Sequence, residues 1–242
     1  MINLIILKHS NFLGAIALEI VKDNDSELWH KIIQDYPELA ELHSPDRRQL
    51  SKALTKIRKR LRPEFDLAAK QFALWWPEIS PQVTGFFEKF FCLQNTEPKT
   101  FSAAIGIGPI YPRDLVKESF LLPYFATKID FAKISIHEIS HFYFYRKMKE
   151  LAEKINLPST HDLWIISEIL VPSLINSREL KSLTDGIPFS CYATNDALIK
   201  SSAQIYDHFW QQEKNADLFW PELLNLKIGA EDLNPKYSPK TL

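Results

Sequence analysis

A chain of 242 residues, 45% hydrophobic and 12% aromatic, carries enough apolar surface for one large domain, or for a core domain with a helical appendage. Its formal net charge of −1 gives no bulk electrostatic signal for nucleic acid or for an anionic membrane surface. Cys92 and Cys191 lie far apart without metal-ligand spacing, and read as core thiols of a reducing compartment, or as one disulfide if the chain is exported.

The first 21 residues are apolar, but Lys8, His9, Ser10 and Asn11 split the run and Glu19 closes it. Residues 3–7 therefore read as a short strand or helix start, and a cytoplasmic chain is expected, with an export signal as the alternative. Nothing approaches the ~20 apolar residues of a membrane span. With only 6 glycines but 15 prolines, long helices punctuated by proline are expected. Residues 25–42 carry Leu28, Ile32, Ile33, Leu39 and Leu42 at helical spacing, broken at Pro37. Residues 46–62 form an amphipathic helix with Leu50, Ala53, Leu54, Ile57 and Leu61 on one face, ended by Pro63. The other face, with Arg47, Arg48, Lys52, Lys56, Arg58, Lys59, Arg60 and Arg62, reads as a solvated surface balanced by acidic residues elsewhere; a phosphate or partner contact is the alternative.

Helix continues over 64–92, where Trp75, Trp76, Phe86, Phe87, Phe90 and Phe91 read as core or as a seam rather than a ligand box. The character changes near residue 97. Residues 100–107 are expected as a strand, and 119–127 as an edge strand or irregular segment because of Pro123. The pair Gly106 and Gly108 lacks the full spacing of a nucleotide-binding loop. Helices are expected over 130–155, capped by Asp130, over 162–176 and over 195–215, with a flexible tail. The expected organisation is a helical N-terminal region over 1–95 (lid, prosegment or subdomain), a core over 96–230 and a tail over 231–242. The fold class is α+β, mostly helical, with a small mixed sheet preceding the helix at 130–155.

That helix poses a problem. Its apolar stripe runs through Ile134, Phe144, Tyr145, Met148, Leu151, Ala152 and Ile155, and His137, Glu138 and His141 fall on the same stripe. Charged Lys133, Arg146, Lys147, Lys149 and Glu150 fall mostly elsewhere. Two imidazoles and a carboxylate facing the interior need partners. A metal ion supplies one: residues four apart on a helix converge, so both imidazoles reach one zinc, and the carboxylate after the first histidine leans beside it. This is the H-E-x-x-H arrangement. The alternative is a core helix whose histidines bond to backbone or to each other.

A catalytic zinc usually takes three protein ligands and keeps one open position. The long metzincin pattern would need Gly at 144 and His at 147, where the chain has Phe144 and Lys147. Glu168 is the lone charge in the apolar run Leu163, Trp164, Ile165, Ile166, Ile169, Leu170 and Val171, which makes it the expected third ligand; His161 is the competitor.

His137-Glu138-Ile139-Ser140-His141 with Glu168 resembles the gluzincins, the thermolysin-like branch of zinc-dependent metallopeptidases. The resemblance covers about thirty residues. It implies a zincin-like fold, with a small mixed sheet, an active-site helix and a second helix bringing the glutamate. It also implies zinc-assisted peptide hydrolysis on a peptide or protein substrate, with Glu138 as general base. In thermolysin-like members an Asp often follows the ligand Glu by one turn and orients a ligand histidine. Here that position is Pro172, which leaves the group orienting His137 open. Tyr192, Tyr206 and His208 are the downstream candidates for stabilising the oxyanion. The segment 119–125 is a candidate edge strand for an extended substrate. Two other functional classes stand beside this reading: a zincin-type binding or regulatory module with low or no peptidase activity, and a nucleic-acid or partner-binding protein that uses helix 46–62.

Overall fold

The computed structural model describes residues 1–42, 44–94, 99–108, 110–185, 196–211 and 216–228. In chain order the elements are β1 (Ile2–Leu7), α1 (Asn11–Asn24), α2 (Ser26–Asp35), α3 (Pro37–Ala40), α4 (Arg47–Arg60), α5 (Arg62–Phe91), β2 (Lys99–Gly106), β3 (Arg113–Asp114) and β4 (Ser119–Pro123). Then follow α6 (Lys128–Leu151), α7 (Thr160–Ile175), α8 (Lys181–Thr184), α9 (Asp196–Tyr206), a π-helical turn at Asp207–Gln211 and α10 (Ala216–Leu224). The described chain is thus mostly helical, with one small mixed sheet formed entirely before α6. No described helix is long and apolar enough to cross a membrane.

The sheet order is β1-β2-β4-β3. β1 and β2 pair in parallel, Ile2 opposite Lys99, and β2 and β4 pair in parallel, Gly106 opposite Pro123. β3 pairs antiparallel with β4 through Arg113 opposite Phe120 and Asp114 opposite Ser119. The expected edge strand at 119–127 is therefore corrected. β4 has a neighbour on each side, and all five of its residues are buried. Its continuous apolar run is the signature of a strand covered on both faces. Pro123 sits at its last position, where a missing N–H does not interrupt the ladder.

Two compact units divide the chain: residues 1–84 with 97–138, and residues 85–96 with 139–242. The expected break at 95/96 would separate β1 from the strand it pairs with, because 1–95 opens with a strand of the sheet. In the first unit α1 lies against the sheet, where Leu13 and Ala17 cluster with Ala104 and Leu121. The part of α5 in this unit is anchored to β1: Thr84 Oγ1 accepts from Ile2 N at 3.0 Å, and Trp76 Nε1 donates to Ile2 O at 3.3 Å. Phe72 and Trp76 pack on Phe131 of α6.

α4 begins at a reciprocal cap, Asp46 accepting from Gln49 N while Gln49 Oε1 accepts from Asp46 N. Two arginines of its basic face are ion-paired within the unit, Arg47 with Glu19 and Arg60 with Glu38, and Arg58 donates to Asn11; Arg62, the first residue of α5, pairs with Asp66. In the second unit the aromatic end of α5 is core. Phe90 and Phe91 pack against Trp220, Phe86 and Phe90 against Trp210, and Phe87 and Phe91 against Tyr143. Cys92, expected as a core thiol, is exposed just past α5; Cys191 and the expected tail lie outside the described residues.

Candidate metal centre

The helix carrying the first three site residues starts one turn earlier than the sequence indicated. Thr127, not Asp130, precedes its first turn; Asp130 Oδ2 accepts from Thr127 N and Oγ1, and Asp130 N donates back to Thr127 Oγ1. Nor is its first half amphipathic: residues 131–144 are buried on every face, including Lys133. His137 and Glu138 are each 2% exposed and His141 0%, so their charge and hydrogen-bonding capacity must be met inside the protein. α7 is capped by Ser159, whose hydroxyl oxygen accepts from Asp162 N at 3.1 Å. It is buried from Ile165 to Val171, and Glu168 is the lone charge of that stretch, 0% exposed.

Among the described residues, His137, His141 and Glu168 form a group in which each offers one ligand atom and all these atoms lie within 4.8 Å of one another. His141 Nε2 stands 3.5 Å from Glu168 Oε1. Its other ring nitrogen, Nδ1, is 3.0 Å from Ser167 Oγ. Glu138 Oε1 lies 3.7 Å from His137 Nε2, and Arg113 Nη1 lies 3.3 Å from Glu138 Oε2. Tyr111 is close enough to feel Glu138. Burial and the negative charges of Asp130 and Glu138 push its phenol above its ordinary pKa, so it keeps its proton near neutral pH.

The donor set fits a divalent transition metal. Ligands about 2.0–2.2 Å from a tetrahedral ion lie about 3.4 Å from each other. The 3.5 Å between His141 Nε2 and Glu168 Oε1 already matches that edge. It is also longer than the roughly 2.7–2.9 Å of a charge-assisted N–H···O bond. The widest pair, at 4.8 Å or less, has to close by at most about 1.4 Å, a side-chain adjustment. Two imidazoles with one carboxylate suit zinc, and also iron(II).

Of the residues expected from sequence, the structure brings together His137, His141 and Glu168 and places Glu138 beside His137. His161 is not in the group; it lies in the first turn of α7, its side chain 41% exposed and 3.5 Å from Asp162. Tyr206 is buried with its ring 5.7 Å from Phe90, and His208 is exposed with its ring on Phe209. Tyr192 lies outside the described residues. Sequence reasoning missed Arg113, Tyr111 and Ser167. The only signal for Ser167 was a hydroxyl next to Glu168 in an otherwise apolar helix. No family model matches the chain, and neither a curated protein nor a solved structure matches it.

Proposed function

We propose that the chain is a zinc-dependent metallopeptidase of the gluzincin type, with a zincin-like arrangement of α6 and α7. In this reading His137, His141 and Glu168 hold zinc and Glu138 is the general base. One observation carries it: two imidazoles and a carboxylate converge in a buried site, with a second carboxylate beside the first imidazole. When bound, zinc supplies Lewis acidity, polarising the scissile carbonyl and lowering the pKa of a neighbouring water. Glu138 accepts the proton of that water and returns it to the leaving amine. Its two oxygens divide the work. Oε1 faces His137 at 3.7 Å, while Oε2 is held by Arg113 at 3.3 Å. Arg113 and the protonated Tyr111 phenol are the donors on the Glu138 side for a developing oxyanion. Glu138 is also what favours zinc hydrolysis over iron chemistry, since a proton acceptor beside the donors serves a water-activating site.

The test compares wild type with Glu138→Gln, both zinc-loaded, on a mixture of unfolded proteins and peptides, with new termini read by mass spectrometry. Glu138→Gln should keep zinc and lose about 10²-fold or more in turnover. Equal cleavage by both ends the general-base role. A second reading, a zincin-type binding module with low activity, is favoured by Arg113 already engaging the base. Its outcome is a wild type that binds zinc and cleaves nothing.

A further inference from the structure

Two consecutive residues of α7 hold the two nitrogens of one imidazole. Ser167 Oγ meets His141 Nδ1 at 3.0 Å, and Glu168 Oε1 faces His141 Nε2 at 3.5 Å. The Ser167 hydroxyl has a further contact, 2.7 Å to the carbonyl of Trp164, one helical turn back. Serine has one hydroxyl proton and two lone pairs. A carbonyl oxygen can only accept, so at 2.7 Å the proton has to lie between Ser167 and Trp164. If the hydroxyl instead donated to His141, two acceptor oxygens would face each other at 2.7 Å in a buried site, which is costly. Ser167 Oγ is therefore an acceptor towards His141, and Nδ1 must carry the ring proton.

We propose that Ser167 is a positioning residue that fixes the tautomer of His141. The relay runs from His141 Nδ1–H to Ser167 Oγ, and from Ser167 O–H to the Trp164 carbonyl. It leaves the Nε2 lone pair aimed at the donor group before any metal arrives. In the neutral ring the nitrogen left without the proton is Nε2, the one that faces Glu168 Oε1 at 3.5 Å, which suits it as a donor to a cation. The inference deepens the metal reading of this site and rests on it. It does not depend on what the loaded protein does to peptides.

Two measurements test it. The first is nitrogen NMR of the His141 ring in metal-free wild type at about pH 8, above the ordinary histidine pKa of about 6.5. A protonated Nδ1 and a bare Nε2 are expected; a proton on Nε2 overturns the proposal. The second is zinc affinity by competition with a chromophoric chelator. Ser167→Ala should bind zinc about 10–100-fold more weakly, the usual scale for losing a partner of a metal-bound histidine. Ser167→Thr, which keeps the hydroxyl, should stay close to wild type. Unchanged affinity in Ser167→Ala, or a loss in Ser167→Thr as large as in Ser167→Ala, overturns the proposal. If Ser167→Ala fails to fold, the wild-type spectrum and the threonine variant decide. A chain with the expected tautomer and serine dependence that cleaves no peptide keeps this inference and loses the peptidase reading; one that takes up no zinc loses both.

Discussion

Arg113 of β3 and Glu138 of α6 form a buried ion pair, Nη1 to Oε2 at 3.3 Å, with side chains 10% and 2% exposed. The pair answers the question posed by a buried carboxylate, 2% exposed, on α6. The antiparallel pairing of β3 with β4 brings the guanidinium to Glu138, and a cation so placed compensates a charge that water cannot reach.

Removing one partner of such a pair takes a compensating charge away from the other. Arg113→Met should lower unfolding stability by about 3 kcal/mol, in the range for breaking a buried pair. Adding Glu138→Gln should recover much of that loss, because the stranded charge is gone. Urea denaturation of the two single variants and the double variant checks this. Independent, additive effects would show that the two side chains do not interact.

A more exposed pair sets part of the acid sensitivity. Arg60 grips both oxygens of Glu38, Nε to Oε1 at 2.7 Å and Nη2 to Oε2 at 3.0 Å. The Arg60 hydrogen bonds hold the Glu38 carboxyl below its ordinary value of 4.5, against an opposing push from burial. A depressed folded-state value means that Glu38 stabilises the fold above the unfolded value, and that this is lost as pH falls through the folded one. Glu38→Gln should flatten the decline of stability below about pH 4.5. Urea midpoints should place Glu38→Gln below wild type at neutral pH and bring the two curves together towards pH 3; an unchanged offset down to pH 3 would refute the linkage.

Two glycines give opposite expectations for the same substitution. A Cβ on Gly106 in β2 would sit 2.8 Å from three carbons of Leu121, itself fully buried. Gly106→Ala should cost about 1–3 kcal/mol through overpacking of the sheet core. Gly85, within α5, would place its Cβ in open space. Gly85→Ala should stabilise the helix by about 0.5–1 kcal/mol. Thermal melts of both variants test the pair of signs.

The candidate metal donors were legible for a simple reason. A four-residue spacing puts His137 and His141 on one side of any helix, and Glu168 stands out as a charge among isoleucines and leucines. Glu138 could be placed beside the first candidate donor by adjacency alone. Its neighbour Arg113 could not, because it lies in a proline-flanked stretch whose strand is two residues long and is defined only by pairing with β4. Ser167 carries no charge, so a local pattern gives its hydroxyl no direction. The position of β4 was misread from Pro123, because a proline at the last residue of a strand leaves the preceding ladder intact. The amphipathic stripe assigned to α6 also misled: burial there is complete over residues 131–144, so the facing of His137 was no evidence of its depth.

The most direct test of the account is metal uptake. Protein purified without chelator, or reloaded from the metal-free state, should carry about one zinc per chain. His137→Ala and His141→Ala should largely lose it. Glu168→Gln should weaken binding by about 100-fold or more, beyond the roughly 10–100-fold typical of losing an outer partner, while His161→Ala leaves it nearly unchanged. Elemental analysis that finds no zinc even after zinc is added, or iron retained in its place, would contradict the account.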